Sequence, residues 1–228
     1  MNNLILLKNI SKSYFGNKKV SVLKKINYKF IKGKIYSLMG PSGSGKSTLL
    51  NILSLIDKPT LGTLKIDNID IDFSDSIIND NIRAKKIGII YQQNNLLPDF
   101  TALENVYLAR LSIEKDKNKA LDKAKSILKK MGLMHRIHHY PTELSGGEKQ
   151  RVAIARALIN EPEIILADEL TGSLDQPTAK EIFKILYKLK NQKRLIIYAT
   201  HNRFFAKMAD CKLEMIDGNI KNTNVRIK

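Results

Sequence analysis

Three short segments of this 228-residue chain carry residue types at spacings that suit phosphate chemistry. Gly40-Pro41-Ser42-Gly43-Ser44-Gly45-Lys46-Ser47-Thr48 runs glycine, four residues, glycine, lysine, hydroxyl. An apolar strand pattern precedes it and a helical pattern follows, the context this motif requires. Its glycines let successive N–H groups curl round a phosphate without Cβ clashes. Lys46 adds a point charge on the phosphate oxygens, and the Ser47 hydroxyl can ligate Mg²⁺. Leu144-Ser145-Gly146-Gly147-Glu148 is a second glycine turn opening a helix, and a helix N-terminus with bare N–H groups is a ready anion site. It also reads as a capping box, with Ser145 at the N-cap and Glu148 at N3. Gly146 and Gly147, however, cost roughly 1 kcal/mol each against Ala in a helix, which backbone approaching a ligand explains. Finally, the apolar run Ile164 to Ala167 ends in Asp168-Glu169. Asp168 is placed to hold Mg²⁺ through water, and Glu169 to orient and deprotonate an attacking water.

The elements that must position these residues follow from hydrophobic period. Residues 4–10 and 20–38 alternate as half-buried strands, with a turn at Gly33 and a buried strand from Ile35 to Met39 running into the first glycine loop. A helix is expected from Ser47 to about Ile56, ended by Asp57-Lys58-Pro59. A β-rich stretch, Gly62 to Ile71, and a buried strand, Ile87 to Tyr91, come next. Helical periodicity then dominates over Thr101–Leu111, Lys117–Met131 and Ser145–Ile159. Strands at 163–168 and 195–200 flank an amphipathic helix at 178–190. This order implies one α/β domain over residues 1–228 with an all-helical subdomain inserted at about 94–160.

With 43% hydrophobic and 27% charged residues, the composition is that of an ordinary globular protein. No run approaches a membrane span, and the first residues show no basic leader or cleavage site. The single cysteine, Cys211, suits a reducing compartment. A soluble, intracellular chain is expected, with any membrane role exercised through a partner. The net charge is +17, and residues 1–40 hold nine lysines before the first carboxylate, Asp57. Such a face can meet nucleic acid or anionic lipid. No aromatic-interleaved basic helix or nucleic-acid motif accompanies it, so a chain-wide Lys, Asn and Ile bias is the simpler account and no nucleic-acid partner is expected.

Taken together, these segments resemble the ABC-type ATPases across nearly the whole chain. The resemblance implies a P-loop NTPase core with an antiparallel β subdomain, ATP and Mg²⁺ as ligands, and hydrolysis of ATP. It further implies that Tyr14 stacks on adenine and that Gln92 contacts Mg²⁺ and the attacking water. Ser173-Leu174-Asp175 matches the loop that crosses the family's dimer interface, and His201 matches the histidine on the γ-phosphate. In the family, each ATP lies between the phosphate loop and catalytic acid of one subunit and the Ser145 and Gly147 equivalents of the other. A homodimer docked on integral membrane permease subunits is therefore implied, peripheral to the cytoplasmic face of a bacterial inner membrane. The run Leu96 to Val106 is similar to the ATPases of lipoprotein-releasing transporters, with macrolide-type exporters and a cell-division complex as relatives; Asp99 to Asn105 favours lipoprotein release. A soluble ABC ATPase acting on ribosomes or nucleic acid is the remaining alternative. The sequence departs from the family at Leu170, where Pro is usual, at Ser173, often Asn, and at Asn202, usually Asp.

Three smaller groups invite other readings. His135, His138 and His139 lack a matching acid or cysteine partner for a metal and suit a solvated loop. Asp67, Asp70 and Asp72 lack the glycine and terminal glutamate of a calcium loop. Cys211 reads as a small buried residue.

Overall fold

The computed structural model describes residues 3–16, 19–172 and 174–225. In chain order these form β1 (Asn3–Phe15), β2 (Lys19–Ile31), β3 (Ile35–Met39), α1 (Lys46–Leu53), β4 (Leu61–Ile66), β5 (Ile69–Asp70), α2 (Ser76–Lys86) and β6 (Ile87–Ile90). There follow α3 (Ala102–Leu111), α4 (Lys117–Lys130), α5 (Gly146–Leu158), β7 (Ile164–Asp168), α6 (Gln176–Lys188), β8 (Leu195–Ala199), α7 (Arg203–Ala206), β9 (Cys211–Ile216) and β10 (Asn219–Val225). The chain forms two compact units: Met1–Asn81 with Leu166–Asp168 and Lys190–Lys228, and Ile82–Ile165 with Glu169–Leu189.

The first unit holds two sheets. One is antiparallel in the order β2-β1-β4-β5. The other runs β10-β9-β3-β8-β7, with β3 parallel to both β8 and β9. Ile35 to Leu38 are all buried, as is every residue of β8. Such continuous apolar runs, rather than alternation, are what a parallel strand covered on both faces requires. The hydroxyl of Ser37, in this apolar setting, donates to the Ala206 carbonyl (3.2 Å).

Helix α1 stops at Leu53, short of the Ile56 that the sequence suggests. Leu55 takes a left-handed conformation (φ 60°) and its N–H donates to Ile52 O, while Ile56 N–H donates to Asn51 O. This pair of bonds is a Schellman stop, which usually uses glycine. Burial of the Leu55 side chain (7% exposed) offsets the roughly 1–2 kcal/mol that a left-handed L-residue costs. Helix α2 has no counterpart in the sequence reading. Ile77 and Ile78 are exposed and Asn79 is its buried residue, so it shows no apolar stripe. It is instead started by Asp75, whose carboxylate accepts from Ile78 N–H, and anchored by Asn79 on the Asp72 carbonyl.

In the second unit, α3, α4 and α5 pack round Leu103, Val106, Leu128, Val152 and Ile159. Fully buried alanines at 102, 120, 124 and 155 let the helices approach closely. Thr101 and Glu104 form a complete capping box on α3. Asn105, 1% exposed, ties down the preceding loop: its Oδ1 accepts from Leu97 N–H, and its Nδ2 donates to the carbonyls of Leu97, Phe100 and Thr101. Replacing Asn105 with Ala strands these backbone groups, so urea unfolding of Asn105→Ala should show a loss of about 2–4 kcal/mol.

Candidate active site

The glycine loop leaves the end of β3 and enters α1. Gly40 (φ 149°) could carry no side chain, because a Cβ would stand 2.1 Å from the Met215 carbonyl oxygen. Gly45 (φ 100°) is the N-cap of α1, and a Cβ there would meet the Leu23 side chain at 2.8 Å. The β9–β10 turn buttresses this loop from the other side, with Gly218 N–H donating to the Ser44 carbonyl (3.2 Å). Lys46 is 7% exposed, and its ammonium donates to the carbonyls of Gly40 and Pro41, both at 2.9 Å. Ser42, Gly43 and Ser47 are exposed and Thr48 is half-buried. The first turn of α1 contains no carboxylate and its cap makes no side-chain hydrogen bond. Bare donors beside a held ammonium fit a phosphate chain, and the oxygen donors Ser47 and Asp168 fit a hard cation such as Mg²⁺.

Elsewhere in this unit, Tyr14 lies near the end of β1, 45% exposed, and its hydroxyl donates to Asp57 Oδ2 (2.9 Å). Lys12 bonds the other oxygen of Asp57 and lies 4.8 Å from the Tyr14 ring centroid. Burial pushes the Asp57 carboxyl up, but Lys12 and Tyr14 outweigh it and hold the group below its usual range. The sequence showed Asp57 only as a helix stop; its contact with Tyr14 spans 43 positions and leaves no local signal. His201, exposed after β8, borders a cavity of about 480 Å³ together with Gly40 and Pro41. Asp168, half-buried, closes β7.

In the second unit, Glu169 adopts a left-handed backbone (φ 41°). A proline at 170 would restrict the residue before it to extended conformations; Leu170, 3% exposed, leaves this turn available. Gln92 Nε2 donates to Glu169 Oε2 at 3.2 Å, bringing two of the expected catalytic groups together. A Cβ on Gly172 would lie 3.4 Å from Gln92 Nε2 and 3.6 Å from Glu169 Oε2, ordinary contact distances, so the segment runs directly beside this pair. Arg156, on α5, donates to the carbonyls of Asn94 and Asn95, both at 2.6 Å, and both residues have positive φ. It thereby holds the turn that follows Gln92, a role the sequence does not announce.

Ser145 caps α5 as anticipated. Its hydroxyl accepts from Glu148 N–H (3.3 Å), and Glu148 Oε2 accepts from Ser145 N–H (2.8 Å) while Oε1 accepts from Arg136 Nε (3.0 Å). Gly146 is exposed, whereas Gly147 is buried, and a Cβ on it would come 2.6 Å from Thr178 Cγ2. Packing on α6 therefore accounts for glycine at 147 without the ligand approach that the sequence suggests. Asp175 is the N-cap of α6 and accepts from Thr178 N–H and Thr178 Oγ1. Ser173 lies outside the described residues. Among the described residues no cluster of three His, Cys, Asp or Glu could hold a metal, and Cys211 is buried.

The ABC transporter family model matches residues 23–172. The lipoprotein-releasing system ATP-binding protein LolD of Rickettsia bellii is 47% identical over 211 residues, 92% of this chain and 93% of that protein. The macrolide export ATP-binding/permease protein MacB of Bdellovibrio bacteriovorus is 45% identical over 221 residues, 96% of this chain but 34% of that protein. Among solved structures, the ATP-binding cassette MJ0796, in a dimeric post-hydrolysis state bound to ADP and Pi, superposes with a TM-score of 0.91 at 39% identity. That match covers 98% of this chain and 99% of the cassette.

The capping box makes one acid-range prediction. The Ser145 N–H is the strongest influence on the Glu148 carboxyl and, together with the Ser145 hydroxyl and Arg136, it outweighs the opposing effect of burial and holds the group below its usual range. The unfolded chain therefore binds the proton more readily, and this stabilisation, complete above the ordinary glutamate pKa, is lost as pH falls through the lowered value. Urea midpoints measured from pH 6 downward should decline less steeply for Glu148→Gln than for the unsubstituted chain.

Proposed function

The chain belongs to the ABC transporter family, and we propose that it is the ATP-hydrolysing subunit of a transporter that releases lipoproteins from a bacterial inner membrane. In this reading Lys46 and the N–H groups opening α1 bind the phosphates, and the exposed Tyr14 ring offers a stacking face for adenine. Mg²⁺, held by Ser47, Asp168 and Gln92, would neutralise charge on the transferred phosphoryl group. Glu169 accepts the proton of the attacking water, which Gln92 helps to orient, and His201 contacts the γ-phosphate. Ser145, Gly146, Gly147 and Asp175 face the nucleotide held by a second copy. Residues 1–228 act as one nucleotide-binding domain carrying a helical subdomain.

The Gln92–Glu169 bond carries the hydrolytic part, because it holds an amide and a carboxylate on one another where both can take one water. The 47% identity to a LolD protein, over nearly all of both chains, supports lipoprotein release. Among the described residues no helix is long and apolar enough to cross a membrane, so membrane contact would come through permease subunits at the cytoplasmic face. Macrolide-type export is the second reading, favoured by the 45% identity to MacB.

Glu169→Gln should bind ATP as tightly as the unsubstituted chain, accumulate as an ATP-bound dimer in size-exclusion chromatography, and turn over at least about a hundredfold more slowly. Undiminished turnover would show that Glu169 is not the proton acceptor. To test the substrate class, the tagged chain would be purified from detergent extract of its own cells. A permease with bound lipoprotein supports release; a permease without it, paired with an exporter channel, supports the second reading.

A further inference from the structure

Gly147 and Asp175 lie on different helices, yet one side chain touches both. Thr178, in the first turn of α6, donates to Asp175 through its N–H (3.0 Å to Oδ1) and its hydroxyl (2.7 Å to Oδ2). With the hydroxyl held, the stiff β-branched side chain has one direction left for its methyl group. That methyl, Cγ2, occupies the place where a Cβ on Gly147 would come within 2.6 Å. One residue earlier, a Cβ on Gly146 would approach Leu174 Cδ2 to 3.3 Å, on the segment leading into Asp175. The glycine turn that opens α5 is therefore seated on residues 174–178 of its own chain.

We propose that Thr178 is a positioning residue for ATP hydrolysis: its methyl against Gly147 and its hydroxyl on Asp175 lock the first turn of α5 to the N-cap of α6. The proposal rests on the dimeric ATPase reading, in which both turns face a second copy's nucleotide. Locked in this way, they advance and withdraw as one surface. Gly147 then lacks a Cβ because Thr178 fills the space, and its exposed neighbour Gly146 is the position left for close approach of a ligand.

Rescue distinguishes this account from ligand approach at Gly147. Gly147→Ala, Thr178→Ser and the double variant would be compared in the full chain, with Thr178→Val as a further probe. Gly147→Ala is expected to lower kcat at least about tenfold and leave KM for ATP within about twofold, the scale of coupling between touching residues. Serine at 178 keeps the hydroxyl and removes the methyl, so the double variant should recover kcat to within about threefold of Thr178→Ser alone. Thr178→Val keeps the methyl and removes the hydroxyl bond to Asp175 Oδ2 while the N–H bond to Oδ1 stays; it should lower kcat with no clash at Gly147. A urea double-mutant cycle on the same proteins should show Gly147→Ala destabilising and Thr178→Ser relieving it. Stability restored without kcat would overturn the proposal, since the ligand would then need Gly147. Additive losses in both measurements would overturn the contact itself. If the unsubstituted chain were inert toward ATP, the ATPase reading and the positioning role would fall together, while the urea cycle would still decide the contact.

Discussion

Among the described residues, the N-cap of α1 makes no side-chain hydrogen bond to the helix's first turn: Gly45 has no side chain to offer, and no carboxylate stands in the turn. Every other described α-helix supplies an acceptor of its own. Asp75 serves α2, Thr101 α3, Asp116 α4, Ser145 α5, Asp175 α6 and Asn202 α7. A helix start without an acceptor leaves its donors to water or to a ligand, and at α1 the loop is built to keep them available. Gly40 and Gly45 exclude side chains that would collide with Met215 and Leu23, and the β9–β10 turn bonds the loop from behind. The parallel strand β3, buried and paired on both sides, fixes where the loop starts. The first unit can be understood as a frame for that one unsatisfied turn.

Helix α5 solves a different problem with similar residues. Its capping box satisfies the N–H groups of Ser145 and Glu148, and the Arg136 bond to Glu148 stiffens the box. The donors of Gly146 and Gly147 are not used by the box. Gly146 at N1 is exposed backbone on a helix start that is stable on its own, while Gly147 at N2 packs against Thr178. Under the proposed dimeric reading, the turn could meet a second copy's anion without leaving its own helix uncapped in the free chain.

The features legible in the sequence were those whose signal is local. The phosphate loop, the four capped helices α3 to α6, and the buried strands all follow from neighbouring residues. The contacts that were not legible cross long stretches of chain: Asp57 with Tyr14, Arg156 with Asn94 and Asn95, and Thr178 with Gly147. Polar helix α2 and the left-handed Leu55 escaped for another reason. Periodicity registers apolar stripes and glycine stops, and these two elements use neither.

The run from Leu96 to Val106, which points toward lipoprotein release in the sequence, divides sharply once its contacts are known. Thr101 and Glu104 cap α3, Asn105 binds four backbone groups of the loop, and Ala102, Leu103 and Val106 are buried in the helical core. Those residues answer to the fold, and any transporter using this loop has reason to keep them. What remains exposed is Leu97, Pro98, Asp99 and Phe100, held out by the Asn105 anchor. An apolar pair beside a proline and a carboxylate, on a loop fixed at its base, is the part of the run that no packing constraint of the fold accounts for. Under the proposed reading, in which the chain docks on a permease, these four side chains are the first place to look for discrimination between a lipoprotein-releasing permease and an exporter, and the remainder of the run is the structure that presents them.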